Sequence, residues 1–512
     1  KKKGGNIVAK SKTSTYVLTL KLNTEEFQEN ILNKRLEIAR NISNSLTNVV
    51  LKRYNLMLEN KEYNKIKNQL KPINKSIHNE SIKMSKETNK LRKELYNKLN
   101  DIYEKYNLTQ YSLYADVKPM YKHFKDNIGS LECQAIADRV WSKFDKLLFG
   151  KANKVCFDKF GEYNTIENKW NKSGLKYSDG FIIWNGLKIP VVIKQNDIYA
   201  QTAIQDNIKF CRIVRKLIRG KYKYYVQLMI EGIPPIKCNK DTGEIKNPIG
   251  NDNVGIDIGT RTIAYSSNKE VKLLELCPEI ENIERKKLIL QRKLDRQRRA
   301  NNPNNYNENG TIKRGVKLVW NKSNKYIKTQ NELREIQRKQ ACIRKQSHEK
   351  LANHILTLGD RVLVETMQFQ GLQKRAKNTT INKNGKFNKK KRFGKSLANK
   401  APAMLIEIIN RKLKYNGLEI LKINTQKVKA SQYNHFIDDY NKKELSDRWN
   451  ESIEIQRDIY SAFLIMNVND DLETINKQLC NDTYDNFKIL HDEEINRLKK
   501  LKANGYKLIS SM

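Results

Sequence analysis

"NVGIDIGTRTIAYSS", residues 253–267, decides how the rest of the chain is read. Val254, Ile256 and Ile258 alternate along an apolar strand, and its other side carries Gly255, Asp257 and Gly259. A bare carboxylate on such a strand is costly unless positive charge stands against it. The counter-charge is a divalent metal, a Mg-nucleotide or a basic neighbour, and the flanking glycines leave that side open to a ligand.

Downstream, "TIAYSS" and "EVKLLELC" continue as two more strands. Two long charged helical stretches follow, about 279–300 and 326–358, spaced like a hairpin. "RVLVET" is a further strand. "APAMLIEIINRKLKYNG" has Pro402 near its start and Gly417 just past its end, the punctuation of a helix. "LEILKI" is another strand and "SIEIQRDIYSAFLIMNV" a helix. Three strands, then helix, strand, helix, strand and helix, is the order of the ribonuclease H fold.

Upstream, "TYVLTLKL" puts Tyr16, Leu18, Leu20 and Leu22 on one face of a half-buried strand. Thr24 is placed to cap a helix whose apolar side carries Phe27, Ile31, Ile38, Ile42 and Val49. Helical periodicity runs to about Phe149, broken at Pro72, and from Phe157 to Pro234 the period becomes two. A lone strand and a later group of strands thus flank a helical block, which predicts a β-barrel with the helices inserted.

Composition bounds the partners. The chain has 512 residues and a net charge of +43, enough length for about two to four domains. Such charge repels itself unless a polyanion neutralises it, and nucleic acid is the usual one. No apolar run is long enough to span a bilayer and no signal-peptide pattern opens the chain, so a cytoplasmic protein without membrane association is expected. Seven cysteines are scattered without a single Cys-x-x-Cys pair, which fits a reducing compartment and buried thiols.

Three carboxylates fall where this fold order brings strand ends together: Asp257, Glu365 at the end of "VLVET", and Asp458 in "IQRDIYSAFLI". Ser461 and Ala462 share the helical face of Asp458, so the helix backbone can approach the sheet. Three convergent carboxylates suit two Mg²⁺ ions ~4 Å apart, which clamp the attacking and leaving oxygens of phosphodiester hydrolysis. "GIDIGT" also looks like the first phosphate motif of sugar kinases, actin and the chaperone ATPases. Those proteins need a second Asp-x-Gly turn later in the chain, and here the one comparable string, "DTGE" at Asp241, comes first.

"NVGIDIGTRTIA", "RVLVETM", "KASQYNH…LSDRW" and "IQRDIYSAFLIMN" together resemble the catalytic core of the transposon-encoded TnpB nucleases and their relatives, the compact type V CRISPR effectors. "GSLECQAIADRVWSKFDKLLFGKANKV" resembles the end of that family's helical recognition lobe. The resemblance runs from about Tyr16 to Asn467. It implies a multidomain α+β chain: a wedge-type β-barrel at 1–23 and 151–250, a helical recognition lobe at 24–150, and a ribonuclease H-like (RuvC) α/β domain at 251–423 and 451–512. It implies a metal-binding, catalytic triad of Asp257, Glu365 and Asp458. It also implies an RNA-guided DNA endonuclease that holds a guide RNA, reads a short motif beside double-stranded target DNA and works as a monomer within a ribonucleoprotein. Sequence choice is then left to base pairing.

One departure stands out. Family members often carry a zinc ribbon between the last two carboxylates, whereas 424–450 contains no cysteine and His435 alone cannot hold zinc. No zinc is expected, and the insertion would meet nucleic acid through Lys427, Lys429, Gln432 and Arg448. Elsewhere "QRKLDRQRRANN" presents Arg292, Arg296, Arg298 and Arg299 for phosphate contacts. The acid-free stretch 371–400 offers Lys374, Arg375, Lys390, Arg392 and Lys395 and reads as a lid loop that orders on nucleic acid. Tyr111, Tyr114, Tyr121 and Trp141 read as core, with base stacking the alternative. Two rival functions remain: a catalytically silent RNA-guided repressor, and an unguided structure-specific RuvC-like nuclease.

Overall fold

The computed structural model describes residues 14–79, 86–239, 241–382, 385–388, 393–441, 444, 447–451 and 453–506. The chain divides into two units, Lys1–Pro235 and Ile236–Met512.

The first unit opens with β1 (Thr15–Leu22), whose Tyr16, Leu18, Leu20 and Leu22 are buried in strict alternation. Five helices follow: α1 (Glu26–Leu58), α2 (Lys61–Asn79), α3 (Lys86–Lys105), α4 (Gln110–Phe124) and α5 (Ser130–Leu148). Then come β2 (Thr165–Glu167), β3 (Lys176–Ser178), β4 (Phe181–Trp184), β5 (Leu187–Val192), α6 (Ile198–Ala203), β6 (Ile208–Ile218) and β7 (Lys221–Glu231). The sheet order is β2-β6-β7-β1-β5-β4-β3, antiparallel throughout. β1 therefore sits in mid-sheet, with Leu20 opposite Val226 of β7 and Leu22 opposite Val191 of β5.

The expected barrel is a curled half-barrel. Among the described residues no ladder joins the edge strands β2 and β3. The Asn168 side chain draws them together, its Nδ2 donating to the Leu175 carbonyl at 3.0 Å while its backbone N–H donates to Cys211 at 3.2 Å. Helix α1 buries Leu32, Leu36, Ala39, Ile42, Leu46 and Val50 at three- and four-residue intervals. Phe27 departs from the expected face at 55 % exposure. The capping box uses Glu25 and Gln28 instead of Thr24, whose hydroxyl bonds Glu29 at 2.7 Å.

Two buried charged side chains tie helices to sheet. Arg35 of α1 lies over the Trp184 ring at 4.6 Å and donates to the carbonyls of Trp184 and Asn185. Burial lowers its pKa to about 10, with Glu132 opposing. Glu132 of α5, fully buried, accepts the Leu175 N–H at 2.7 Å, and burial raises its carboxyl.

The second unit is built on β8 (Asn253–Ile258), β9 (Thr262–Ser266) and β10 (Val271–Glu275), then α7 (Glu281–Asn301), α8 (Asn324–Leu358) and β11 (Arg361–Glu365). α9 (Phe369–Gln373), α10 (Gly394–Lys400), α11 (Pro402–Lys414), β12 (Leu421–Ile423) and α12 (Thr425–Val428) come next. The chain ends with β13 (Tyr433–Asn434), β14 (Asp439–Tyr440), β15 (Trp449–Asn450), β16 (Ile455–Gln456), α13 (Arg457–Met466) and α14 (Lys477–Ala503). Sheet order is β10-β9-β8-β11-β12, antiparallel from β8 to β10 and parallel from β8 to β12.

The period-two pattern of β8 assigns its faces. Val254, Ile256 and Ile258 pack with Ile355 of α8 and Leu405 and Ile409 of α11. The other face meets α13, where Phe463 stacks on Phe487 of α14 at 4.2 Å. Here an expectation fails. A Cβ built on Gly255 would lie 2.1 Å from the Ala462 carbonyl oxygen and 2.3 Å from the Met466 nitrogen. Gly255 is therefore covered by helix backbone, not open to a ligand. Only Gly259 retains space, with Thr262 Oγ1 at 3.4 Å from its would-be Cβ.

The stretch 371–400 is not wholly a loop either. α10 packs Leu397 inward, and the buried Lys400 pairs with Glu275 at 2.7 Å and donates to the Cys277 carbonyl at 3.3 Å.

Candidate active site

Parallel pairing sets the first two carboxylates side by side. Ile256 lies opposite Val364 in the β8–β11 ladder, so one residue on, Asp257 and Glu365 occupy neighbouring strand ends. Both project to the α13 face, because Val362 and Val364 share the opposite core with Val254 and Ile256. Asp458 comes from the first turn of α13, whose N-cap Gln456 accepts the Ile459 N–H at 2.8 Å. The close seat of α13 on Gly255 brings that turn towards the strand ends.

The charges on these groups oppose one another. Asp257 keeps partial access to solvent, yet its carboxyl is pushed well above the ordinary range. Burial is the leading cause, followed by the charges of Glu365 and Asp458, with Arg457 and Arg448 working against them. Burial raises Glu365 as well. Asp458 has loose cationic company, Arg448 Nη1 and Arg457 Nη2 each at 3.4 Å.

Among the described residues no group of three His, Cys, Asp or Glu side chains is arranged to hold a metal ion. Asp458 instead faces its two arginines. The donor set still fits a hard divalent cation: the donors are all carboxylate oxygens, and the mutual repulsion at Asp257 is what a bound cation relieves.

Next to Asp458 the insertion packs through aromatic side chains. His435, 0 % exposed, is hydrogen-bonded at Nδ1 to the Tyr460 hydroxyl at 2.6 Å, and its backbone N–H donates to the same oxygen at 3.2 Å. Phe436, Tyr460, Phe463 and Tyr484 surround the imidazole, and burial lowers its pKa to about 4. The β15–β16 pair and His491 of α14, which accepts the Gln456 N–H at 3.1 Å, fix the far end of the insertion against the start of α13.

A cleft of about 720 Å³ opens between the insertion and α13, lined among others by Gln432, Asn434, Arg448, Trp449, Arg457 and Ser461. As cleft-lining residues Arg457, Trp449 and Ser461 were not read from the sequence, where Ser461 entered only as a small residue on the helical face of Asp458. A basic residue beside Asp458 was the only local signal, and the two others acquire meaning once the insertion is folded back.

The remaining basic residues are dispersed. Arg292 and Arg296 are exposed on α7. Arg298 and Arg299 both pair with Asp295 and stack on Trp320 and Tyr306. A single acid, Asp295, thus serves two of these arginines. Lys374 and Arg375 are exposed, Lys395 stands 3.7 Å from Glu284, and Lys390 and Arg392 lie outside the described residues. Lys427 pairs with Glu473, Lys429 lies 5.8 Å from the Tyr440 ring, and Gln432 and Arg448 line the cleft. Tyr111, read as core, is 81 % exposed, whereas Tyr114 bonds Asp138 and Lys169. Among the described residues no helix is long and apolar enough to cross a membrane.

No family model and no curated protein matches the chain. Among solved structures it is similar to a Cas12f1–sgRNA–target DNA complex, at 13 % identity and a TM-score of 0.39, covering 89 % of this chain and 99 % of that one. It is also similar to a CRISPR–Cas12f ternary complex, at 13 % identity and a TM-score of 0.20, covering 85 % of this chain and 91 % of that one. Likenesses this weak carry no argument.

Proposed function

We propose that this chain is an RNA-guided DNA endonuclease of the TnpB and compact type V kind, with a RuvC-like site formed by Asp257, Glu365 and Asp458. What supports the reading is the placement of Asp257 and Glu365 on the neighbouring strand ends of β8 and β11, with Asp458 in the first turn of α13 and the charges of Glu365 and Asp458 helping to raise the carboxyl of Asp257. The strand order β10-β9-β8-β11-β12 is that of ribonuclease H folds and supports the same site. The net charge of +43 and the motif resemblance support a polyanionic partner.

In this reading the curled sheet is the wedge, α1–α5 form the recognition lobe, and the insertion at 424–450 meets the target strand. Asp257, Glu365 and Asp458 would hold Mg²⁺, which when bound polarises the scissile phosphate and lowers the pKa of the attacking water. The residues do the rest. Asp257 and Glu365 present their oxygens from rigid strand ends, the N-cap of α13 fixes Asp458, and Arg448 and Arg457 supply cationic hydrogen bonds at the same edge.

The test is RNA recovery followed by cleavage. Purified from cells carrying its native locus, the protein should retain one abundant RNA with an invariant scaffold and a short variable end. The complex should cut matching DNA in Mg²⁺, and Asp257→Ala should abolish cutting while leaving target binding intact. Cutting without RNA would establish the unguided nuclease instead. One observation favours the silent repressor: Asp458 is already paired with two arginines. Guided binding without cleavage across Mg²⁺ concentrations would decide for it.

A further inference from the structure

His491 of α14 is a buried titratable group that the hydrolytic reading leaves unused. It is 0 % exposed, with Phe487 and Trp449 beside its ring at 6.0 Å and 5.9 Å. The Gln456 backbone N–H donates to its Nε2 at 3.1 Å. A backbone N–H can only donate, so Nε2 carries the lone pair and the ring proton sits on Nδ1. That proton is donated to Asp492 Oδ1 at 2.8 Å, and Lys488 holds the Asp492 carboxylate at 2.6 and 2.7 Å. Burial keeps the pKa of His491 below its ordinary value, so the ring is neutral at pH 7. The far end of this chain is Gln456, the N-cap of α13. Gln456 is 4 % exposed, and its side chain accepts the Ile459 N–H at 2.8 Å from an extended backbone. Asp458 follows two residues later, in the first turn. Lysine, carboxylate, imidazole and N-cap thus form one line of hydrogen bonds from α14 to the turn that carries the third carboxylate.

We propose that His491 is a positioning residue for Asp458: its Nδ1–H tautomer, set by Asp492, holds the N-cap of α13 and with it the place at which Asp458 meets a cation shared with Asp257 and Glu365. This role rests on the metal-site reading above. It makes that site depend on a side chain that touches neither metal nor substrate. Hydrogen-bonded partners standing behind metal ligands account for about 10–100-fold in metal affinity or activity. His491 acts through the backbone of Gln456, so the low end of that range, about tenfold, is expected.

The test uses the full chain and three measurements. Selective ¹⁵N labelling of histidine should show an imidazole with Nδ1 protonated and Nε2 bare, whose signal is lost in His491→Gln. His491→Ala should weaken Mg²⁺ binding about tenfold, read from the Mg²⁺-induced rise in melting temperature. It should slow single-turnover cleavage by a similar factor while target affinity stays unchanged. His491→Gln is the conservative variant: its side-chain carbonyl can accept the same N–H, so it should restore most of both quantities. Lost packing beside Phe487 and Trp449 lowers the melting temperature of both variants, and only the split between them reports the hydrogen bond. Equal effects of the two variants, no effect of either, or a ring protonated at Nε2 overturns the positioning role. A Mg²⁺ response that depends on His491 in a protein that never cuts DNA would sink the nuclease reading alone. Cleavage indifferent to both variants would sink the positioning role alone, and a wild type without any Mg²⁺ response overturns both.

Discussion

Gly255→Ala is the most demanding test of how the site is assembled. The new methyl would stand 2.1 Å from the Ala462 carbonyl oxygen and 2.3 Å from the Met466 nitrogen, both helix backbone. Carbon–oxygen contacts in proteins settle at about 3.3–3.6 Å, so α13 must withdraw from β8 by about 1.2 Å. No flexible side chain can absorb the clash. Overpacking of this kind costs about 3 kcal/mol, or roughly 6–12 °C in melting temperature for a unit of this size. The lower unfolded-state entropy of alanine offsets only about 0.4–1 kcal/mol of it. Asp458 lies one turn before Ala462 on the same helix, so in molecules that stay folded its carboxylate shifts too. A misplacement of about 1 Å lowers catalytic rate by about 10²-fold. Gly259→Ala is the control: its Cβ would meet Thr262 Oγ1 at 3.4 Å, an ordinary contact, and its stability should stay within about 0.5 kcal/mol of wild type. Calorimetry gives the first quantity and single-turnover DNA cleavage the second. A Gly255→Ala protein that melts and cleaves like wild type would refute the seating of α13 on β8.

Asp257 and Glu365 both have folded-state pKa values above their ordinary 3.8 and 4.5, so their contribution is fully present at pH values below these and is lost as pH rises through the raised values. The metal-free protein should therefore lose stability on that rise, and Asp257→Asn should flatten the slope in thermal melts across pH. Mg²⁺ should raise the wild-type melting temperature, by about 2.7 kcal/mol of stability at a hundred times its Kd, and should do little for Asp257→Asn. His435 shows the opposite sign. Its folded pKa of about 4 lies below the ordinary 6.5, so its contribution is present above pH 6.5 and is lost as pH falls towards 4; Trp449 fluorescence should report the insertion loosening over that window, insensitive to EDTA. In the first unit, Arg35→Ala leaves the Trp184 and Asn185 carbonyls without their donor and should cost about 1–3 kcal/mol in urea unfolding.

Much of the second unit was legible because burial on both faces writes itself into a sequence. "NVGIDIG" and "RVLVE" read as strands from their β-branched runs, and a carboxylate at each strand's end stands out against them. The three acids could be named before any fold was known, since their order follows the order of the elements. The lone strand at residues 15–22 was equally plain from its alternation, whereas its neighbours in the sheet were not. On the hairpin, Asp295 stands three and four residues before Arg298 and Arg299, the spacing at which side chains share a helix face, so these pairs too are written in the sequence.

What the sequence determined by itself was the set of elements and the chemical types at their ends: local periodicity, turn residues and the expense of a buried carboxylate are properties of short stretches of chain. What only the tertiary structure decided was who meets whom in space. Gly255 proved to be a seat for the α13 backbone and not an opening. Arg448 and Arg457 came to rest on Asp458. The insertion folded His435 under Tyr460 and left a cleft with unpaired groups on its wall. Such meetings depend on close approach of backbones and on the balance of charge in three dimensions. Neither has a period along the chain.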